Sequence, residues 1–265
     1  MAGTSDKAPL PFAKLTGRWA WGGADGAGVK VAVLDSGIDA AHPDLRGAVA
    51  GGIEIELAES GKLVASEGGM TDAAGHGTAC AGIVHRLAPA ARIYSVRVLG
   101  PAMQGLGAVF LGGLHWAISE GIDVINLSLG TTNREYTEAL HELADAAFFR
   151  RSIIVAAANN ESAPSFPSVF SNLLGVRSCP FRTRPRGYPV AFTYSPGSPI
   201  EIGAPGDGIR VPWPGAAHKQ VTGNSFACPH VTGLAALILS KHPDLTAFQL
   251  QTVLHRLSLP ASGSR

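Results

Sequence analysis

One alternation runs through most of this chain: a short apolar run, a turn rich in glycine or polar residues, then a stretch with helical spacing. "VKVAVLDSGID" (29–39) shows it first, with Val29 to Leu34 apolar but for Lys30 and a break at Asp35-Ser36-Gly37. A run without polar alternation is the mark of a strand buried on both faces. "RIYSVRVL" (92–99), "DVINLSLG" (123–130) and "SIIVAAANN" (152–160) are read as further strands, and "LLGVRS" (173–178) and "PIEIGAPG" (199–206) as shorter ones. Helices are expected from "GHGTACAGIVHRL" (75–87), from Gly107 to Glu120 with Leu111, Leu114 and Ile118 on one face, and from Glu135 to Arg150. Two more are expected near 226–240 and 246–258, the second opened by a capping box of Thr246 and Gln249. "IEIELAESGKLVAS" (53–66) alternates and turns near Ser60-Gly61, so a hairpin is expected there. Strands alternating with helices imply βαβ units, an α/β fold and a mostly parallel sheet. No repeat or linker interrupts the pattern, so 1–265 is read as one domain with a loop-rich segment, 1–28, packed on it.

Composition removes several alternatives. Hydrophobic residues make up 46% and charged residues 15%, which is not the balance of a disordered chain. A net charge of +1 recommends no nucleic-acid partner. Three widely spaced cysteines, Cys80, Cys179 and Cys228, give no disulfide framework and are read as free, buried thiols. The longest apolar runs, such as "LAALIL" (234–239), are too short to span a membrane, and a soluble chain is expected. The opening residues lack the apolar stretch of a secretory signal. The compartment therefore stays open between the cytoplasm and secretion of a chain trimmed of its signal.

In open α/β sheets, ligands sit beyond the carboxyl ends of the strands. Asp35, Ser128 and Asn160 fall at or just after such ends, while His76 and Ser225 fall at helix starts. Amide hydrolysis needs a nucleophile, a base for its proton, a carboxylate to orient that base, and donors for the oxyanion. A serine at a helix N-terminus has a free backbone N–H and a dipole that favours negative charge, so Ser225 offers both a nucleophile and one such donor. Gly223 lets the chain turn tightly into that position.

"VAVLDSGID", "GHGTACAG" and "GNSFACPHVTG" resemble, in order, the Asp, His and Ser signatures of the subtilisin-like serine proteases. That order is a known property of the family and not something spacing reveals. "DVINLSLG" and "VAAANNES" resemble two supporting strands, so the likeness runs from about Val29 to Leu257. It implies a three-layer fold, with Ser225 as nucleophile, His76 as general base and acid, Asp35 as the orienting carboxylate and Asn160 as side-chain oxyanion donor. It also implies that Ser128, Leu129 and Gly130 line one side of a peptide-binding cleft, with Ala157 on its apolar wall and Asn159 near its primary pocket. Met103, Gln104 and Gly105 would form the facing edge strand, the peptide entering between as an added strand.

The chain departs from the family pattern in places. Asn224 stands for the usual threonine and is expected to keep a polar group near the oxyanion. Phe226 stands for the usual methionine and is expected to pack. Asn159 replaces a glycine and is a rival to Asn160 as donor. "IVHRL" (83–87) replaces a longer calcium-binding loop and is too poor in oxygen to build that site, although Asp44 is retained. Glu201 with carbonyls near Pro167 and Val169 is the remaining place for a weak calcium, against the plainer reading of a locally bonded carboxylate. Cys80 lies one turn beyond His76, where some relatives also carry a free cysteine. A zinc set of His76, Cys80, Cys228 and His230 lacks paired-ligand spacing. His42, His85, His115, His141, His218, His242 and His255 are read as structural or surface residues, and the arginines at 177, 182, 184 and 186 as a solvated loop.

The expected activity is a serine endopeptidase that needs no cofactor for its chemistry and acts as a monomer on peptides or proteins, preferring apolar or small residues before the scissile bond. Two alternatives stand beside it: a maturation protease dedicated to one precursor, and a catalytically silent binding module on the same scaffold.

Overall fold

A computed structural model describes residues 10–181 and 183–260. The expectations placed on residues 1–9 and Arg182 lie outside the described residues. The loop-rich opening contains a 3-10 turn, Phe12–Lys14, and a short helix, α1 (Gly17–Ala20), whose N-cap Thr16 accepts from the Trp19 amide. There follow β1 (Lys30–Asp35), β2 (Val49–Leu57), β3 (Leu63–Glu67), α2 (His76–Leu87), β4 (Arg92–Arg97), α3 (Gly107–Ser119), β5 (Val124–Leu127), α4 (Thr137–Arg150), β6 (Ile153–Ala157) and β7 (Leu174–Ser178). The chain ends through β8 (Thr193–Tyr194), β9 (Ile202–Ala204), β10 (Ile209–Trp213), β11 (Ala217–Val221), α5 (Asn224–Lys241) and α6 (Ala247–Leu257).

Nine strands form one sheet in the order β3-β2-β4-β1-β5-β6-β7-β9-β8. Neighbours from β2 through β9 pair in parallel, and the outermost strands, β3 and β8, pair antiparallel. The apolar runs divide between two cores by simple alternation. On β1, Val31 and Val33 join the core under α2, α5 and α6, while Ala32 and Leu34 join the core under α3 and α4. This makes three layers, with α5 enclosed on every side: all residues from Phe226 to Leu239 are buried.

The β10–β11 hairpin has no counterpart in the expectations from sequence. Pro212 inside a run argues against a strand, and β11 is mostly polar and exposed. The hairpin forms because it has a seat on α2: Pro212 lies where a Cβ on Gly82 would be, 2.2 Å away. Residues 83–87 continue α2 as regular helix. The capping box of α6 is present, with Thr246 and Gln249 each bonded to the other's backbone N–H.

Candidate active site

Asp35 ends β1 and is fully buried. His76 opens α2, and its Nδ1 lies 2.8 and 2.9 Å from the two Asp35 carboxylate oxygens. The glycines on either side of His76 make this approach possible. Gly75 has φ +88° and a Cβ there would meet the Trp213 ring at 2.3 Å. A Cβ on Gly77 would meet the Gly37 carbonyl at 2.1 Å and Asp35 Cβ at 3.0 Å. Burial pushes the His76 pKa down, but the adjacent Asp35 carboxylate, with Cys80, outweighs it, and the net shift is well above the ordinary imidazole value.

Asp72, not singled out from the sequence, holds this corner in place. It is buried and accepts from five donors: the Ala74 and Gly75 amides and Ser36 Oγ on Oδ1, and the Thr78 amide and hydroxyl on Oδ2, at 2.6–3.1 Å. An acid four residues before a helix-opening histidine in "DAAGHGT" was the available signal, since the first turn of a helix needs acceptors for its free N–H groups.

Ser225 lies inside the first turn of α5 and not just before it, because the helix begins at Asn224, two residues ahead of the start expected near 226. Its N–H has no partner among the described residues. Its carbonyl would ordinarily accept from the amide four residues on, but that residue is Pro229, which has none. Ser128 Oγ donates to it instead at 2.7 Å, and the Cys80 thiol lies 3.7 Å away. Ser128 is fixed in turn from inside the core: Thr232 Oγ1 donates to Asn126 Oδ1 at 2.9 Å, and Asn126 Nδ2 donates to Ser128 Oγ at 2.9 Å. Phe226 packs its ring 5.1 Å from that of His76.

Asn160 Oδ1 accepts from the Asn224 amide at 3.0 Å. That bond commits the oxygen and leaves Nδ2 without a partner among the described residues, free to donate. The expected site residues His76, Ser225, Asn160, Met103, Gln104, Gly105, Ser128, Leu129 and Gly130 line one cleft of about 550 Å³, with Val98, Leu99, Leu106, Phe110 and Tyr136 as apolar wall. No hydrogen bond joins Ser225 Oγ to His76 here; both face the same cleft, and such contacts tighten when substrate binds.

Three expectations need correction. Residues 100–104 form a turn, with Gly100 and Gln104 bonded across it and Met103 at φ +58°, so the facing edge is a loop and not a strand. Ala157 is buried in the core beneath α5 and does not line the cleft. Asn159 turns into its own loop, donating to the Ala163 carbonyl at 3.1 Å and accepting from the Glu161 amide at 3.3 Å, so its amide faces that loop and does not line the cleft as a rival to Asn160.

The zinc set is not assembled: Cys228 lies against the Leu127 and Val155 carbonyls, and His230 Nδ1 is bonded to the Phe226 carbonyl. Asp35, His76 and Cys80 do have ligand atoms within 4.8 Å of one another, but the first two are already paired and burial raises the thiol pKa. Asp44 pairs with His218 at 2.8 Å, and Glu201 is bonded by the Tyr194 hydroxyl and the Gly197 amide, the latter at 3.2 Å. His242 stacks on Trp19, His141 on Phe170 and His255 on Tyr194. All three cysteines are free, Cys179 being only half-buried.

The profile described as the subtilase family matches residues 26–260. Subtilisin E of Bacillus subtilis (strain 168) is 35% identical over 244 residues, 86% of this chain and 60% of that protein. Subtilisin DY of Bacillus licheniformis is 33% identical over 256 residues, covering 91% of this chain and 86% of its own length. Thermitase of Thermoactinomyces vulgaris is 33% identical over 240 residues, with 86% and 81% covered. A crystal structure of a cold adapted subtilisin-like serine proteinase superposes with a TM-score of 0.70 at 26% identity, over 88% of this chain and 82% of that one. The chain spans about 60% of the length of several of the curated subtilisins it matches.

Proposed function

The chain belongs to the subtilase family, and from that premise we propose that it is a serine endopeptidase working through Asp35, His76 and Ser225. One observation carries the reading: a fully buried carboxylate holds an imidazole at 2.8 Å on the wall of the cleft that also presents Ser225 and Asn160. With Nδ1–H held by Asp35, the other ring nitrogen is the base. Ser225 Oγ attacks the carbonyl carbon as its proton passes to His76 Nε2. The C=O π pair moves onto oxygen, facing Asn160 Nδ2 and the Ser225 N–H. Collapse breaks the C–N bond, His76 protonates the leaving amine, and water then repeats the sequence to free the acid and regenerate Ser225. None of these steps requires a cofactor.

The peptide lies between residues 128–130 and the 103–105 turn, held mainly by its backbone. The apolar wall supports a preference for apolar side chains before the scissile bond. The helical course of residues 83–87 and the pairing of Asp44 with His218 support a chain without the family's strong calcium site. The same reading takes it as a monomer whose partner is its peptide or protein substrate.

A fluorophosphonate probe should label the wild-type chain and not Ser225→Ala, and a peptide library should yield many cleavage products with the wild type alone. A folded wild type that neither labels nor cleaves would leave a binding module, and cleavage at a single motif would point to a dedicated maturation protease.

A further inference from the structure

Asn224 occupies the place of the family's threonine, and its side chain does not face the oxyanion as expected from sequence. Both ends of its carboxamide are bonded to backbone groups of other elements. Oδ1 accepts from the Ser178 amide at 2.7 Å, at the end of β7, and Nδ2 donates to the Asn159 carbonyl at 2.7 Å, in the loop after β6. Its backbone N–H donates to Asn160 Oδ1 at 3.0 Å. A backbone N–H can only donate and a carbonyl can only accept, so these partners fix which way both amides face. Asn160 is thereby obliged to turn Nδ2 outward. Gly223 leaves the corner between Ser225 and Asn160 open: a Cβ there would lie 3.4 Å from Ser225 Oγ and 3.5 and 3.7 Å from Asn160 Oδ1 and Nδ2.

We propose that Asn224 is a positioning residue for the reaction assigned above, on which this inference rests. One side chain joins the end of β7, the loop carrying Asn160 and the first turn of α5. It thus sets the spacing between the two oxyanion donors, Asn160 Nδ2 and the Ser225 N–H, without touching the oxyanion. A threonine carries donor and acceptor on a single oxygen, whereas asparagine sets them on two separate atoms. Donors held in place stabilise charge that develops only in the transition state, so loosening them lowers kcat and leaves KM alone.

The test uses Asn224→Ala and the near-isosteric Asn224→Asp, each alone and combined with Asn160→Ala. Asparagine to aspartate keeps the Ser178 bond but sets an anion against the Asn159 carbonyl. Turnover of a chromogenic peptide anilide is read alongside hydrogen–deuterium exchange of residues 158–163. Either change alone should lower kcat about 10- to 100-fold, somewhat less than loss of an oxyanion donor itself, with KM within about twofold. In the Asn160→Ala background the same change should cost less than about twofold, because the donor it aims is gone. Exchange at 158–163 should rise in both variants. An equal loss in both backgrounds, a loss confined to KM, or an unchanged kcat would overturn the proposal. Should the alanine variant not fold, the aspartate variant carries the same readings. A wild type that neither turns over nor takes a fluorophosphonate probe would sink the hydrolase reading by itself. Unchanged exchange at 158–163 in the variants would then overturn the tie separately.

Discussion

At the scale of single residues, the chemistry of the site follows from what each polar atom is bonded to. His76 owes its raised pKa to a carboxylate it cannot escape: Asp35 is buried, and the Ser36 amide holds its Oδ1 at 2.8 Å. As a base His76 must be neutral, so kcat/KM of the wild type should climb with pH along a limb centred above the ordinary imidazole value of about 6.5. Asp35→Asn removes the charge that raises the pKa and keeps the burial that lowers it. The limb should move to lower pH while kcat falls about 10⁴-fold, the magnitude that loss of the equivalent acid has in subtilisin. Two pH–rate profiles, wild type and variant, check both the sign and the size. An unmoved limb would mean that Asp35 does not set the protonation of His76.

At the scale of elements, glycine decides whether helix and strand can meet. Gly77 brings the first turn of α2 against the end of β1 with no room for a methyl group. Gly77→Ala should therefore push α2 away from Asp35, costing about 1–3 kcal/mol of stability and most of the activity. Urea melts and turnover of the same preparation measure the two. Much at this scale was legible in the sequence: β1 falls within an apolar run read as a buried strand, and β4, β5 and β6 each fall within a stretch read as a strand between helices. The glycine-flanked His76 and the strand-end Asp35 were legible as well. The β10–β11 hairpin was not, since a strand that owes its place to contact with α2 carries no period of its own. Asp72 and the two-ended role of Asn224 were hidden likewise. Each acts through backbone groups distant in sequence, and residue type does not announce which N–H or carbonyl will be near.

At the scale of the whole molecule, acid should weaken the fold through His230. Burial holds its imidazole neutral, with a pKa pushed down to about 4. The unfolded chain takes up that proton below pH 6.5, whereas the folded chain refuses it until about pH 4. Stability from this group is thus whole above pH 6.5 and falls by about 3 kcal/mol as the pH drops to 4. His76 has the opposite sign: its share is present below 6.5 and is lost as pH rises through its raised pKa. Comparing urea midpoints at pH 7 and pH 4 for the wild type and His230→Gln isolates the first effect. The variant should lose less between the two, and an identical drop would rule His230 out as the source.

Hydrocarbon gripping α5 from every side is indifferent to how that cylinder is rotated about its long axis. Thr232, reaching Asn126 and through it Ser128 and the Ser225 carbonyl, is not indifferent. A screw motion by a single position would strand an amide and two hydroxyls in grease. Two small side chains deep in the interior and a third at the cleft wall therefore act as a key in a slot, and the clocking they impose on a greasy rod is what brings one oxygen, rather than its neighbour, to the mouth of the cleft.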